Sequence, residues 1–295
     1  HRMRIAVTGT AGQVALALAE RGPPAGVDVI AVGRPGLDLM RPDSVLPALR
    51  AAEADAIVSA AAYTAVDQAE GDAATAFSVN AAGAGAVAAA AREMGVPLLH
   101  LSTDYVFDGA LDRPYREDDP TAPLGVYGAS KLAGEEAVLS AGGRAAVFRT
   151  AWVYSPFGRN FVKTMVGLAA SRSEVSVVAD QQGRPTSALD IADALVAAAR
   201  RLVSAPQDPA LQGVFHLAGG DDATWCALAQ ATFDRLAAAG RPHCVARPIP
   251  ASQYPTPARR PANSRLDGAK LKAVYGIEVP GWRASLSETV ARLTA

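Results

Sequence analysis

The feature that most limits the fold is an alternation of short apolar runs with helix-like segments, starting at the N-terminus. Arg4–Val7, Val27–Val32, Ala56–Ala60, Pro97–Leu101, Ala145–Arg149 and Val175–Val178 have the length and apolar continuity of strands buried on both faces. Val214–Leu217 adds a later one, and helices begin near Gly12, Ser44, Ala73 (running to Arg92), Tyr127 and Asn160. This β-α-β-α rhythm predicts an α/β protein built on a doubly wound, Rossmann-type parallel sheet. Ligands of such sheets lie over the carboxyl ends of the strands. Beyond about Pro206 the texture changes: Pro and Gly become frequent, and Pro242–Pro261 is polar and proline-studded. That predicts a smaller, loop-rich C-terminal substrate-binding lobe capping the strand ends. The expected division assigns residues 3–155 and about 175–205 to a dinucleotide-binding domain, and about 156–174 and 206–295 to the substrate lobe.

A chain of 295 residues can bury the core that this architecture needs. Its net charge of −1, with no Lys/Arg run, gives nucleic acid no electrostatic footprint. No apolar run reads as a membrane span, and the Ala-rich stretch Ala84–Ala91 reads as buried helix. His1-Arg2-Met3 reads as a vector-derived extension ahead of a native methionine, not as a signal peptide. Two cysteines, Cys226 and Cys244, without a Cys-x-x-Cys pair fit a reducing, cytoplasmic setting. The four histidines are scattered without metal-ligand spacing, so no metal site is expected.

The first strand leads directly into Thr8-Gly9-Thr10-Ala11-Gly12-Gln13-Val14-Ala15. Gly9 permits a tight turn and Gly12 lets the backbone approach a pyrophosphate, while the helix that follows offers free N–H groups to an anion. Ala15 stands where many dinucleotide sites have a third glycine, and is small enough for helix–strand packing. An ordinary βα turn is the alternative; the position straight after strand one favours a dinucleotide. Strand two ends in Val32-Gly33-Arg34. An acidic residue there would accept from ribose hydroxyls, whereas an arginine suits a ribose 2′-phosphate, which favours NADPH with NADH as a weaker substitute. Asp38-Leu39 follows, in a loop that can hold an adenine edge.

Tyr127-Gly-Ala-Ser-Lys131 places a phenol and an ammonium one helical turn apart, on one face. A lysine charge favours the phenolate and would bring a tyrosine pKa of roughly 10 toward the working pH. Upstream lies Ser102-Thr103-Asp104-Tyr105, in which the Thr103 hydroxyl can hydrogen-bond a substrate carbonyl or the alkoxide formed from it. Asp104 is either a structural cap or an anchor for a sugar, and Trp152, ending the next strand, either packs or faces the pocket mouth. Arg259-Arg260-Pro261-Ala262-Asn263-Ser264-Arg265 reads equally as a solvated face or as a set of guanidinium forks for a diphosphate.

In this order, Gly9-x-x-Gly12, Ser102-Thr103-Asp104-Tyr105 and Tyr127-x-x-x-Lys131 resemble the extended short-chain dehydrogenase/reductases, and most closely the dTDP-4-dehydrorhamnose reductase family. Matching stretches run nearly end to end, among them Ala60–Asp67, Ser102–Gly109, Val126–Glu135, Arg149–Tyr154, Asn160–Met165, Asp180–Thr186, Tyr254–Pro257 and Arg260–Leu266. The resemblance implies NADPH-dependent reduction of the C4 ketone of a dTDP-4-keto-6-deoxy sugar. Tyr127 would give the proton, Lys131 would tune it and hold the nicotinamide ribose, and Thr103 would polarise the carbonyl. Gly9, Gly12, Gln13 and Val14 would meet the pyrophosphate, Arg34 the 2′-phosphate, Asp38 and Leu39 the adenine side, and Ala62, Tyr63 and Thr64 the cofactor's inner end. Thr103, Asp104, Tyr127, Trp152, Arg260 and Asn263 would bind the nucleotide sugar.

Some relatives dimerise through magnesium held by glutamates, where the matching positions here are Ala17, Leu189 and Arg292. None offers the oxygen ligands that magnesium prefers, so a monomer or a metal-independent dimer is expected. A sugar dehydratase of the same superfamily needs a carboxylate base after the Thr-Asp pair, where this chain has Tyr105. A non-catalytic regulatory subunit shares the Tyr-x-x-x-Lys pattern, but the Thr103-Asp104 pair and Trp152 fit a sugar site better. A ketoreductase acting on another dTDP-deoxysugar uses the same dyad and stays open.

Overall fold

Six parallel strands form the central sheet of the computed structural model, which describes residues 1–295. They are β1 (Met3–Thr8), β2 (Val27–Val32), β3 (Ala56–Ser59), β4 (Leu98–Thr103), β5 (Ala145–Thr150) and β6 (Gly213–His216). Their order across the sheet is β2-β1-β3-β4-β5-β6, so the chain reverses direction between β1 and β3 and opens a crevice there. In register, Thr8 lies beside Val32 and Thr103 beside Thr150, which brings the strand ends onto one rim.

Helices α1 (Gln13–Arg21) and α5 (Ala188–Ser204) cover one face of the sheet; α2 (Val45–Ala52), α3 (Ala84–Met94) and α4 (Val126–Ser140) cover the other. The continuous helical run Ala73–Met94 is long and apolar enough to cross a membrane by length and composition, contrary to the expectation that no run qualifies. Here it is a core helix: Val87, Ala88, Ala90 and Ala91 are buried against the sheet with Leu49 and Val138. A π turn at Ser78–Gly83 interrupts it.

The second lobe has its own core, with Tyr154, Val162 and Met165 joined by Phe233, Trp282 and Leu286. Two sequence expectations are corrected here. Val175–Val178 does not join the central sheet, because Glu174–Val178 pairs in parallel with Val245–Ile249 in a separate two-stranded sheet. The proline-studded stretch thus contributes a strand, and Pro248 is tolerated because this small sheet is all edge. Conversely β6, with Leu271 and Tyr275, belongs to the core of the first lobe, although residues 206–295 are expected in the second.

Candidate active site

The rim holds the expected residues in two groups, one on either side of the crevice. At the end of β1, Gly9 adopts φ +94°, which an L side chain rarely takes, and its N–H donates to the Val32 carbonyl at 2.8 Å. That turn aims the chain into α1, whose N-terminus at Gly12 has no side-chain cap. The N–H groups of its first turn are therefore free for an anion. Arg34 is exposed and forms no ion pair, as a site for a phosphate requires. These features fit a pyridine dinucleotide carrying a 2′-phosphate.

The other residues expected around the cofactor differ in how free they are. Gln13 is half-buried and its Oε1 accepts from Ser155 at 2.6 Å, while Val14 packs against the core. Asp38 accepts the Met40 N–H at 3.0 Å and so shapes its own loop. Leu39 is buried against Gly83 of the π turn, where a Cβ would strike the Leu39 side chain and carbonyl. Ala62, Tyr63 and Thr64 follow β3 across the crevice. The π turn fixes this loop through Asn80, which accepts the Tyr63 N–H at 2.8 Å and donates to the Tyr63 carbonyl and to Ser130 Oγ, each at 3.0 Å. The Tyr63 phenol itself turns away, to Asp72.

Thr103, Asp104, Tyr127 and Lys131 meet where β4 ends beneath α4. Helix α4 approaches this closely because Gly128 lies on the Tyr105 carbonyl and Gly134 on that of Asn80, contacts that leave no room for a Cβ. The Thr103 hydroxyl donates to Asp104 Oδ1 at 3.3 Å and accepts the Tyr105 N–H at 3.2 Å, and it is near enough to the Tyr127 phenol to favour its ionised form. The Tyr105 ring meets Tyr127 edge-on, with 5.4 Å between centroids. Lys131 is buried, and its Nζ donates to the Leu101 carbonyl at 2.8 Å.

The electrostatics depart from expectation. Burial, and secondly the Asp104 carboxyl, push the Tyr127 phenol up to about 12, while Thr103 pulls the other way. The lysine does not lower it in this state because its ammonium is turned to Leu101; burial instead brings Lys131 down to about 8, against the support of Glu135. Asp104 is raised to about 7, since burial outweighs the hydroxyls of Ser264 and Thr103.

Behind the dyad lies a polar layer that no sequence expectation covers. Glu135 grips Arg149 through two bonds of 2.7 and 2.9 Å and accepts from Ser102 at 2.5 Å. Arg149 reaches His216 Nε2 at 3.3 Å, and His216 Nδ1 lies 2.9 Å from the Tyr115 carbonyl. Burial, then Arg149, push His216 down to about 3, so it is neutral and donates from Nδ1. The available signal was Glu135 itself, one turn after Lys131 on the same helix face.

The residues expected to grip the substrate's far end are already engaged. Arg260 takes both carboxylate oxygens of Asp67, Oδ2 at 3.0 Å, and holds that carboxyl below its ordinary range. Arg259, by contrast, is exposed and forms no ion pair. Asn263 donates to the Leu111 and Arg113 carbonyls at 3.0 and 2.8 Å and accepts twice from Arg265, so its hydrogen-bonding capacity is spent within the protein. Trp152 has φ +51° and is packed between the Gly183 backbone and Trp225, whose ring centroid lies 3.6 Å away. Of the three positions matched to metal ligands, Ala17 and Leu189 are buried in the core, and Arg292 pairs with Glu20 through two bonds of 2.7 Å.

Comparison with known proteins identifies the family. The family model described as RmlD substrate binding domain matches residues 3–295. A dTDP-4-dehydrorhamnose reductase of Sinorhizobium fredii is 49% identical over 288 residues, covering 98% of this chain and 97% of that protein. A probable dTDP-4,6-dihydroxy-2-methyloxan-3-one 4-ketoreductase of Streptomyces antibioticus is 40% identical, over 99% of this chain and 96% of its own. The crystal structure of the Bacillus anthracis dTDP-4-dehydrorhamnose reductase in complex with NADP superimposes with a TM-score of 0.89 at 31% identity, covering 99% of each chain. With the glycine turn opening α1, the Thr103-Tyr127-Lys131 cluster at the end of β4, a matching family model and full-length relatives of this kind, the chain belongs to the dTDP-4-dehydrorhamnose reductase family.

Proposed function

We propose that this protein reduces the C4 ketone of a dTDP-4-keto-6-deoxy-hexose with NADPH, converting dTDP-4-dehydro-L-rhamnose to dTDP-L-rhamnose. The observation that supports the reading is that Thr103, Tyr127 and Lys131 lie together where β4 ends beneath α4, on the rim that also carries the uncapped N-terminus of α1. When bound, the reduced nicotinamide supplies hydride. The protein's own part is to hold the ketone oxygen against the Thr103 hydroxyl and to give it the Tyr127 proton. Gly9, Gly12, Gln13, Val14 and Arg34 would seat the phosphates, Ala62 to Thr64 would line the cofactor, and Lys131 would leave the Leu101 carbonyl for the nicotinamide ribose. Asp104 and the edge of Trp152 would meet the sugar, and Arg259 is better placed than Arg260 to meet a diphosphate without first losing an ion pair.

The likeness to the Streptomyces ketoreductase supports a second reading, in which the sugar is another 4-keto-6-deoxy-hexose. NADPH oxidation across a panel of dTDP-4-keto-6-deoxy sugars, with product stereochemistry, separates the two. Tyr127→Phe should keep cofactor binding while turnover falls about 10²- to 10⁴-fold. Near-normal turnover in that variant would discard the assignment.

A further inference from the structure

Trp152, just past the end of β5, has a backbone φ of +51°. A non-glycine residue keeps such a φ only where its surroundings over-determine it, and such residues gather at ligand sites. What over-determines this one is a clamp. One jaw is the strand Gln182–Gly183, which passes so close that a Cβ on Gly183 would strike the indole. The other is Trp225, stacked on Trp152 with 3.6 Å between ring centroids and 13° between planes, and backed in turn by Phe161 at 4.8 Å. The jaws form one unit, because Gly183 pairs with Ala223 and Gln182 with Thr224 in an antiparallel ladder that leads into the helix Trp225–Ala238. Thr224 caps that helix, accepting the Ala227 N–H at 3.0 Å. The third tryptophan makes the contrast. Trp282 is 2% exposed and its N–H donates to the Asp222 carbonyl at 3.3 Å, as core packing demands, whereas Trp152 and Trp225 are half-buried.

Building on the reductase reading above, in which the edge of Trp152 meets the sugar, we propose that Trp225 is a positioning residue of the active site: stacked on Trp152, it holds that indole as a fixed wall against which the sugar is seated for hydride transfer at C4. The role of Trp225 is indirect, through Trp152. An indole free to turn about its two side-chain torsions offers the substrate a wall in several places, and a misplacement of about 1 Å can cost about a hundredfold in rate. Overlap with a second indole on one face, and backbone against the other, blocks both rotations. The clamp also fixes the wall relative to the rest of the site. Trp152 packs both against the core of the second lobe and against the cluster containing Val106 and Phe107, which follow closely on Thr103 and Asp104. The strand Gln182–Gly183 is bonded as well to the C-terminal segment, through the Gln182 N–H to the Ala262 carbonyl at 2.9 Å and the Ser264 N–H to the Gln182 carbonyl at 2.7 Å. Trp225 thereby sets the distance between a wall held by the second lobe and the strand end of the first that carries Thr103.

The test is single-turnover oxidation of bound NADPH by the intact protein at saturating dTDP-4-keto-6-deoxy sugar, in wild type, Trp225→Leu and Trp225→Phe. Leucine fills part of the space but cannot stack, whereas phenylalanine keeps a ring face against Trp152. Trp225→Leu should bind NADPH normally, react about ten- to a hundredfold more slowly at saturation, and lose the circular-dichroism exciton couplet of two stacked indoles. Trp225→Phe loses the couplet too, but should recover most of the rate. In the wild type, dTDP-L-rhamnose should change the tryptophan fluorescence and leave the couplet in place, because the wall is already set; this measurement depends on no variant's folding. A couplet abolished by the product, a wild-type saturating rate in Trp225→Leu, a defect confined to KM, or a Trp225→Phe no faster than Trp225→Leu overturns the positioning role. An inactive Tyr127→Phe beside an unaffected Trp225→Leu removes that role alone, whereas an active Tyr127→Phe removes the reductase reading with it.

Discussion

Asp104 should destabilise the folded protein at neutral and alkaline pH, and replacing it should reveal how much. An unfolded aspartate titrates near 3.8, whereas burial holds this one at about 7. Below 3.8 both states carry the proton and the group has no net effect on stability. As pH rises the unfolded chain loses the proton first, so ionisation favours unfolding until the folded carboxyl also titrates at about 7. At about 1.4 kcal/mol per pH unit, the full cost is about 4 kcal/mol at pH 8.5, and about 3 kcal/mol of it accrues above pH 5. Asp104→Asn cannot ionise, so its stability relative to wild type should improve by about 3 kcal/mol between pH 5 and pH 8.5. For a chain of this size that is on the order of 5 °C in Tm. The assay is thermal unfolding of both proteins without cofactor at the two pH values, taking the difference of differences. Any fixed cost of burying an amide cancels, as does the titration of every other group. A Tm difference that is the same at both pH values would show that Asp104 ionises normally in the folded protein.

Arg34→Ala should weaken NADPH about tenfold or more and leave NADH nearly unchanged, because a charge-assisted bond to a 2′-phosphate contributes on the order of 1.5–3 kcal/mol; equal losses in fluorescence titrations with the two cofactors would refute the assignment. Glu135→Gln should cost about 3–5 kcal/mol, since it strands Arg149, whose side chain is 4% exposed, without its anion. The double substitution Glu135→Leu with Arg149→Met should recover much of that in urea unfolding, and a loss below about 1 kcal/mol in Glu135→Gln would show that the pair is not energetically coupled. Turnover and mass by light scattering should be unchanged by EDTA, because Ala17, Leu189 and Arg292 offer magnesium no ligand; a mass that halves on chelation would contradict this.

What could be read from the sequence was whatever depends on short spacing. Gly9-x-x-Gly12 sets a turn, and Tyr127 and Lys131 share a helix face whatever the rest of the chain does. Thr103 was legible because strand ends in this fold class converge on one rim. The partners of these groups were not legible, because pairing across the fold leaves no local signature. Asp67 and Arg260 are 193 positions apart, and each alone looks like a solvated charge. The apolar run Val175–Val178 has the pattern of a strand but carries no information about which sheet it joins. The sign of the Tyr127 shift was also beyond the sequence. Spacing brings the lysine near, but the Leu101 carbonyl that draws off its ammonium, and the burial that dominates the phenol, belong to tertiary packing.

The same packing gives the C-terminal segment a role that its arginines alone did not announce. Arg260 ties it to Asp67 at one end, and Arg265 ties it to Asp222 at 3.2 Å and to the Asp112 carbonyl at the other. Between these anchors Asn263 staples it to the loop carrying Leu111 and Arg113, which brings Ser264 against Asp104. The segment therefore works as a plug fixed at three points, and its cations serve mainly to hold it in place. It contributes only a hydroxyl to the carboxyl it covers, and a hydroxyl compensates a buried carboxylate poorly. A lysine or arginine at 264 would form an ion pair with Asp104 and return it to the ordinary carboxylate range. The small neutral side chain leaves it protonated near neutrality. The second lobe thus sets the acid chemistry of a residue that belongs to the first.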